Sequence, residues 1–580
     1  MATIFNENSR VKIPAILHLM RLGYTYIPLA QQKRREDTNI FEDIFVQSLL
    51  KINPDAKKED IIKCLEDISL ELDYEDIGQR FYQRLTTSSG IKLLDFETFA
   101  NNTFHVTTEL VYKNGEEEFR PDITLLINGM PLAFIEVKKP HNKDGILAEK
   151  ERIQERFKRK YFRKFANITQ LMVFSNNMEY QDGVVAPIFG AFYATSGYGE
   201  ISFNYFREDL DYPVKQALLS LSEDAEKAIL KDNNLLVIKD NPEFQTNKSP
   251  YTPTHRILTS LFSRERFAFM LRYALAYVRE ETGLQKHIMR YPQVFATMAI
   301  SHHLNTGKTQ GIIWHTQGSG KTALAFYNVK FLSDFYQKKN IVPKFYFIVD
   351  RLDLLKQAEG EFNKRGLKVN TIQSKQDLIA NFKNLGAIQN DSGKIEITVV
   401  NIQKFDQDSV TSEEILYDLH TQRVFFLDEA HRSYNPTGNY LAKLISADRN
   451  AVKIALTGTP ILKEITKKYD SKSLFGNYIH KYYYNRSIAD GYTLRLIREE
   501  IESSFKMQMK EVMEEIKVLK GDIKNTDVYA NEKFAQGLLE YITKDLITFQ
   551  NNWEDETLGG MVVCDSAKQA KILFKLFEEK

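Results

Sequence analysis

The stretch Gly311-Ile-Ile-Trp-His-Thr-Gln-Gly-Ser-Gly-Lys321-Thr322 decides how the chain is read. Apolar residues run into a Gly-Ser-Gly turn, a Lys-Thr pair follows, and Ala323-Leu-Ala-Phe opens a helix-forming run. That order is strand, loop, helix. Glycines let backbone N–H groups converge on phosphate oxygens, and a helix N-terminus adds positive potential there. Thr316, Gln317, Gly318, Ser319 and Gly320 would line the loop. Lys321 would reach the β- and γ-phosphates of ATP, and Thr322 would hold Mg2+. His315 stands where the usual pattern begins with Gly. The bland alternative is a glycine-rich turn ahead of a surface helix.

Downstream, Val424-Phe-Phe-Leu-Asp428-Glu429-Ala-His431 is an apolar strand ending in two acids. Asp428 would hold the Mg2+ that bridges the phosphates, and Glu429 would position and deprotonate the attacking water. His431 lies where it can link that site to Leu456-Thr457-Gly-Thr459-Pro, whose hydroxyls suit a relay of γ-phosphate occupancy. Strand-end acids also cap helices, but the spacing from Gly-Lys-Thr suits one nucleotide-binding domain. Lys344-Phe-Tyr-Phe-Ile-Val-Asp and Ile397-Thr-Val-Val-Asn read as further strands of an open α/β sheet, where ligands bind at the carboxyl edge.

Upstream, Arg120-Pro-Asp122-Ile-Thr-Leu-Leu-Ile and Pro131-Leu-Ala-Phe-Ile-Glu136-Val-Lys138 flank Asn128-Gly129-Met130, a hairpin signal. A three-residue loop that pairs Ile127 with Pro131 places Asp122 opposite Glu136, and period-2 alternation puts Lys138 on the same face. Two carboxylates hold a hard cation such as Mg2+, which lowers the pKa of a bound water. A lysine beside them can orient or deprotonate that water, which phosphodiester hydrolysis needs. A surface ion pair on a hairpin is the alternative. Glu42, on the far face of a helix predicted over residues 39–50, reads as exposed.

Pro121-Asp122 with Glu136-Val-Lys138 resembles the PD-(D/E)xK nuclease core. The words around it, Arg120-Pro-Asp-Ile and Asn128-Gly-Met-Pro-Leu, resemble the motor (R) subunit of type I restriction enzymes. That resemblance implies that Asp122 and Glu136 bind the metal and that Lys138 is catalytic. It also implies a downstream Gln-x-x-x-Tyr, for which Gln154 and Tyr161 are the nearest match, with wider spacing. The series Gln293, Gly-Lys-Thr, Asp-Glu-Ala-His, Thr-Gly-Thr is similar to superfamily 2 helicases, in which Gln293 would read the adenine edge. Trp314-His-Thr-Gln-Gly-Ser-Gly, Val349-Asp-Arg, Asp428-Glu-Ala-His-Arg-Ser and Ile488-Ala-Asp-Gly narrow the likeness to the type I motor. The family cuts DNA when translocation stalls. It works with methyltransferase and specificity subunits on duplex DNA, and these are the implied partners.

The expected fold is α/β. A PD-(D/E)xK-type nuclease domain spans 1–205, a linker 206–252 and a RecA-like parallel-sheet helicase domain 253–475, with 258–278 helical. An incomplete second RecA-like lobe with a helical insertion spans 476–580, its first strand beginning at Met561-Val-Val-Cys. The second lobe's arginine motif has no match, so the chain reads as a C-terminally truncated form with little ATP turnover. Residues 150–164 carry eight Lys and Arg against two Glu, a candidate DNA contact or a solvated face.

Composition narrows the classes. The chain is 43% apolar and 27% charged, with net charge +1, so any nucleic-acid surface is local. Its two cysteines, Cys64 and Cys564, argue against a disulfide framework and suit a reducing cytoplasm. No apolar run reaches the roughly 18 residues of a membrane span. Two other readings remain: a different nuclease–helicase fusion in defence or repair, and a nucleotide-gated DNA-binding protein with an inactive nuclease.

Overall fold

The structure is a computed structural model that describes residues 6–579 except 30–32, 88, 115–116, 141–144, 181–188, 211, 373, 384–393, 402–419, 430–447, 449, 461–470, 494–499 and 522. The chain forms two compact units, residues 1–494 and 495–580.

The first unit holds two seven-stranded sheets. The amino-terminal one is mixed and runs, in spatial order, Thr25–Tyr26, Phe104–Thr108, Ile123–Ile127, Met130–Val137, Leu171–Ser175, Ala191–Ala194 and Asn204–Tyr205. Its two central strands, Ile123–Ile127 and Met130–Val137, are buried at every position, which explains their nearly unbroken apolar sequence. The turn between them has two residues, not three. Asn128 and Gly129 have φ of 49° and 78°, the pattern of a type I′ hairpin turn. A Cβ on Gly129 would lie 2.7 Å from the Phe41 carbonyl oxygen, so glycine is required. Ile127 therefore pairs with Met130 and Leu126 with Pro131. One bulge then shifts the register, so that Leu125 faces Ala133 and Ile123 faces Ile135. Asp122 and Glu136 come next. The expected loop was one residue too long, and the bulge restores the pairing it was meant to give.

Residues 206–252 are not a linker. Helices Glu223–Asp232 and Pro242–Asn247 bury Ile229, Leu230 and Phe244 completely, in the same hydrophobic cluster as Ile13 and Ile16. Their solvent faces supply the polarity that suggested a loop. Helix Pro253–Phe262, placed with the motor in the expectation, packs on the first sheet instead. Thr254 bonds Ser175 at 2.8 Å, and His255 stacks on His18 at 4.4 Å. The helix expected over 258–278 also ends early. Leu275–Glu280 pairs antiparallel with Gly283–Ile288, the chain reversing through Gly283 at φ 114°.

The second sheet is wholly parallel, in the order Lys368–Thr371, Glu396–Asn401, Val342–Val349, Thr421–Asp428, Val452–Thr457, Gln310–His315 and Tyr478–Tyr482. Its core strands are β-branched and aromatic and buried on both faces, as crossover helices require. The last strand carries the sheet past the expected boundary at 475. Its residues, Tyr-Ile-His-Lys-Tyr, are mostly half-exposed at a sheet edge and lack an apolar signature.

The second unit comprises the helices Ser503–Lys520, Asn525–Tyr529, Glu532–Trp553 and Ala567–Glu578. The strand expected at 561–564 does not form, and Met561 and Val563 are 88% and 83% exposed. A strand needs a ladder partner, and the described residues of this unit offer only helices. Among the described residues, no helix is long and apolar enough to cross a membrane.

Candidate active sites

The hairpin Ile123–Met130 and its flanks gather charge at one end. Val137 N–H donates to Asp122 Oδ2 at 3.0 Å, which fixes the aspartate against the neighbouring strand. Lys138 Nζ lies 3.9 Å from Asp122 Oδ2, 3.6 Å from Glu136 Oε2 and 3.6 Å from Glu149 Oε2. Glu136 is 5% exposed, and its Oε1 has no hydrogen-bond partner among the described residues. Burial, then the charges of Asp122 and Glu149, push its pKa well above the usual carboxylate range, and Lys138 opposes this only in part. Burial alone would lower the Lys138 pKa, but Glu136, Asp122 and Glu149 together hold it above the ordinary lysine value. The pocket has unmet demand for positive charge, which suits a divalent cation. Among the described residues, no group of three or more His, Cys, Asp and Glu has ligand geometry.

Three members of this cluster were not foreseen. Lys12, 2% exposed, closes the turn Asn8–Lys12, pairs with Glu109 and stands 3.7 Å from Asp122 Oδ1. That turn is a π-helix, a distortion often found at functional sites. Glu7 Oε2 accepts from Lys139 N–H at 3.1 Å, and burial, only partly opposed by Lys138, raises its pKa. Glu149, 4% exposed, lies on the buried face of helix Gly145–Lys158 with Ile146, Ile153 and Phe157. That spacing was readable, since a glutamate falls within an apolar stripe. Gln154 and Tyr161 do not join the cluster. Gln154 Oε1 accepts from Ile201 N–H at 2.9 Å, and Tyr161 is 64% exposed. Glu42 is half-buried and ion-paired with Lys33.

The basic stretch 150–164 divides into three helical pieces, and most of its cations pair with acids from elsewhere in the chain. Arg156 pairs with Glu149 at 3.4 Å and covers the Phe119 ring at 4.1 Å. Arg159 pairs with Glu117, Arg163 with Glu75, and Lys164 with Asp37 and Asp73. Most of these cations hold the fold of the first sheet, which favours the solvated-face reading.

The second site lies at the carboxyl edge of the parallel sheet. Strand Gln310–His315 enters the loop, Gly318 and Gly320 take φ of 75° and 81°, and helix Lys321–Gln337 begins at Lys321. The hydroxyls of Thr316 and Ser319 are buried without hydrogen-bond partners among the described residues. Lys321 Nζ is 3.9 Å from Glu429 Oε1. Burial raises the Asp428 pKa to about 6, with Lys321 opposing and Glu429 and Asp350 adding to the rise. Glu429 has φ 47°, a strained conformation for a non-glycine residue, while its N–H bonds Leu456 O at 3.0 Å. Thr322 opens the helix beside Lys321, half-buried. The Thr457-Gly-Thr459 turn abuts the loop, since Gly458 O accepts from Trp314 Nε1 at 3.1 Å and a Cβ on Gly458 would lie 3.3 Å from Gln317 N. His431 lies outside the described residues.

Gln293 is held beside the phosphate loop. Its Nε2 donates to Gly320 O at 3.0 Å and its Oε1 accepts from Arg290 N–H at 2.9 Å. One amide N–H and one oxygen lone pair are left over from these two bonds.

Residues 4–184 match the family described as type I restriction enzyme R protein N terminus, and residues 292–528 match the SWI2/SNF2 ATPase family. An endonuclease subunit of a type I restriction enzyme (MjaIXP) from Methanocaldococcus jannaschii is 26% identical over 99% of this chain and 55% of its own length. The HindI endonuclease subunit from Haemophilus influenzae is 25% identical, over 86% of this chain and 46% of its own. The chain is similar to endonuclease (R) subunits of type I restriction enzymes along most of its length. It spans about half the length of the curated relatives it matches. Among solved structures, a fragment of an HsdR subunit from Vibrio vulnificus aligns over 78% of this chain and 72% of its own, at 15% identity and a TM-score of 0.26.

Proposed function

We propose that this chain carries the ATP-driven DNA translocase and the Mg2+-dependent endonuclease of a type I restriction enzyme, acting on duplex DNA beside methyltransferase and specificity subunits. The observation that carries this reading is the pair of separate charged sites on two sheets of one unit. In the first, read as a PD-(D/E)xK nuclease, Asp122 and Glu136 would hold Mg2+ and Lys138 would orient the attacking water toward the phosphodiester. When bound, the cation polarises the phosphate and acidifies that water. In the second, Lys321 would neutralise the β- and γ-phosphates of ATP. Thr322 and Asp428 would hold a second Mg2+, and Glu429 would align the hydrolytic water. The buried Thr316 and Ser319 hydroxyls and the raised Asp428 pKa both suit a polyphosphate–metal ligand.

The test uses the full-length subunit purified with its modification and specificity partners. Duplex DNA bearing the recognition site is expected to be cut only when Mg2+ and hydrolysable ATP are both present. Cutting with Mg2+ alone, at the same rate, would favour a free-standing nuclease on a helicase fusion.

A further inference from the structure

His315, the residue that departs from the usual phosphate-loop pattern, begins a chain of side chains that leaves the loop. It ends strand Gln310–His315 and is 1% exposed. Its Nε2 lies 2.8 Å from Nδ1 of His480 on the neighbouring strand Tyr478–Tyr482. His480 Nε2 in turn lies 3.2 Å from Asp209 Oδ2, and Arg486 donates to Asp209 Oδ1. Asp209 is four residues past Asn204–Tyr205, the edge strand of the other sheet. The strand that enters the phosphate loop is therefore joined by a side-chain path to the segment that leaves the amino-terminal sheet.

The two residues before Asp209 are also paired, Arg207 on the parallel-sheet side and Glu208 with the helices that follow residue 252. Arg207 Nε donates to Asp490 Oδ1 at 2.6 Å, while Asp490 Oδ2 accepts from Tyr291 at 2.6 Å and Tyr482 at 2.7 Å. Glu208 accepts from Arg266 at 2.9 Å and from Ser260 at 2.7 Å. Tyr482 closes the loop back on itself, because its carbonyl accepts from Thr316 N–H at 3.1 Å, one residue past His315. Three consecutive charged residues leaving the first sheet thus each bind a different partner, and Asp209 leads through two imidazoles to the strand that enters the phosphate loop.

The chemistry of the path is specific. Burial, then His480 and Lys321, hold the His315 pKa well below its usual value, so its ring is neutral. A neutral imidazole has one N–H, so a single proton lies between His315 Nε2 and His480 Nδ1. A carboxylate only accepts, so His480 Nε2 donates to Asp209. The backbone ladder already pairs Ile313 with His480 and His315 with Tyr482, and holds the two strands together. What the imidazoles add is the connection to Asp209. A glycine at position 315 would leave the loop without it.

We propose that His480 and Asp209 couple the nucleotide site to the amino-terminal sheet. Through His315 they tie the first turn of the phosphate loop to the segment that leaves the amino-terminal sheet, so that nucleotide binding at the loop is felt at residues 204–210. This rests on the reading of the Lys321 loop as an ATP site.

Amide hydrogen exchange on the full chain, with and without Mg2+ and a non-hydrolysable ATP analogue, tests it. In the wild type the analogue is expected to slow exchange severalfold both at 311–322 and at 204–210. Asp209→Ala and His480→Phe are expected to keep analogue binding and the slowing at 311–322, and to lose the slowing at 204–210. A purely structural role would give no nucleotide-dependent difference between variants and wild type. Thermal unfolding checks each variant, and either one that folds suffices. The proposal is overturned if the wild type binds the analogue with no change at 204–210, or if a folded variant responds there as the wild type does. A wild type that fails to bind the analogue overturns the ATP reading itself, and this proposal with it.

Discussion

Glu136→Ala, in the full-length subunit assembled with its partners, is expected to stop DNA cleavage and leave DNA-stimulated ATP hydrolysis near the wild-type level. Glu136 is a buried acid of the hairpin cluster and the one whose oxygen lacks a partner among the described residues. Removing it takes away half of the proposed carboxylate pair and one of the three acids around Lys138. A loss of at least on the order of 10²-fold in cleavage rate is expected, the scale seen when one preorganised charge-stabilising group is deleted. ATP hydrolysis is spared because Lys321, Asp428 and Glu429 stand on the other sheet. Gel assays of strand scission, run beside phosphate release, read both. A variant that cuts at the wild-type rate would remove Glu136 from the site.

Lys321→Ala is expected to abolish ATP hydrolysis, and cleavage with it. The ammonium opens its helix 3.9 Å from Glu429, 10% exposed, with Asp428 and Asp350 adding to a locally negative pocket. Without it, two acids and a polyphosphate would face each other with only the metal between them. A drop in ATP turnover on the order of 10³-fold is the lower end of what removing a cation from a transferring phosphate costs, roughly 10³–10⁵. Phosphate release with saturating duplex DNA reads it, and retained turnover would refute the role of Lys321.

What the sequence disclosed was local. Gly-Lys-Thr opens the helix after one strand and the Asp-Glu pair ends another, and the apolar runs of those strands announce a buried parallel sheet. The facing of Asp122 and Glu136 survived a wrong loop length because a bulge at Leu125/Leu126 compensates for the shorter turn, and no periodicity argument detects a bulge. The contributions of Lys12 and Glu7 come from a segment more than a hundred residues away, through tertiary packing that leaves only a lysine among apolar neighbours as a trace. Helices Glu223–Asp232 and Pro242–Asn247 looked like a linker because a short helix with a single buried row carries few apolar residues. The bonds from the Gln293 amide to the backbone of Arg290 and Gly320 also come from tertiary packing, which its local sequence does not show. The pairing of residues 150–164 with distant acids could not be read from their own charge count.

The central claim is that one chain first moves DNA with ATP and then cuts it. The most direct measurement is the lag between addition of ATP and the first cut, followed on linear and circular duplexes of increasing length by the assembled full-length complex. If translocation precedes cleavage, the lag grows with the length of DNA to be moved and lengthens again when ATP is limiting. A lag that is independent of both length and ATP concentration would contradict the account.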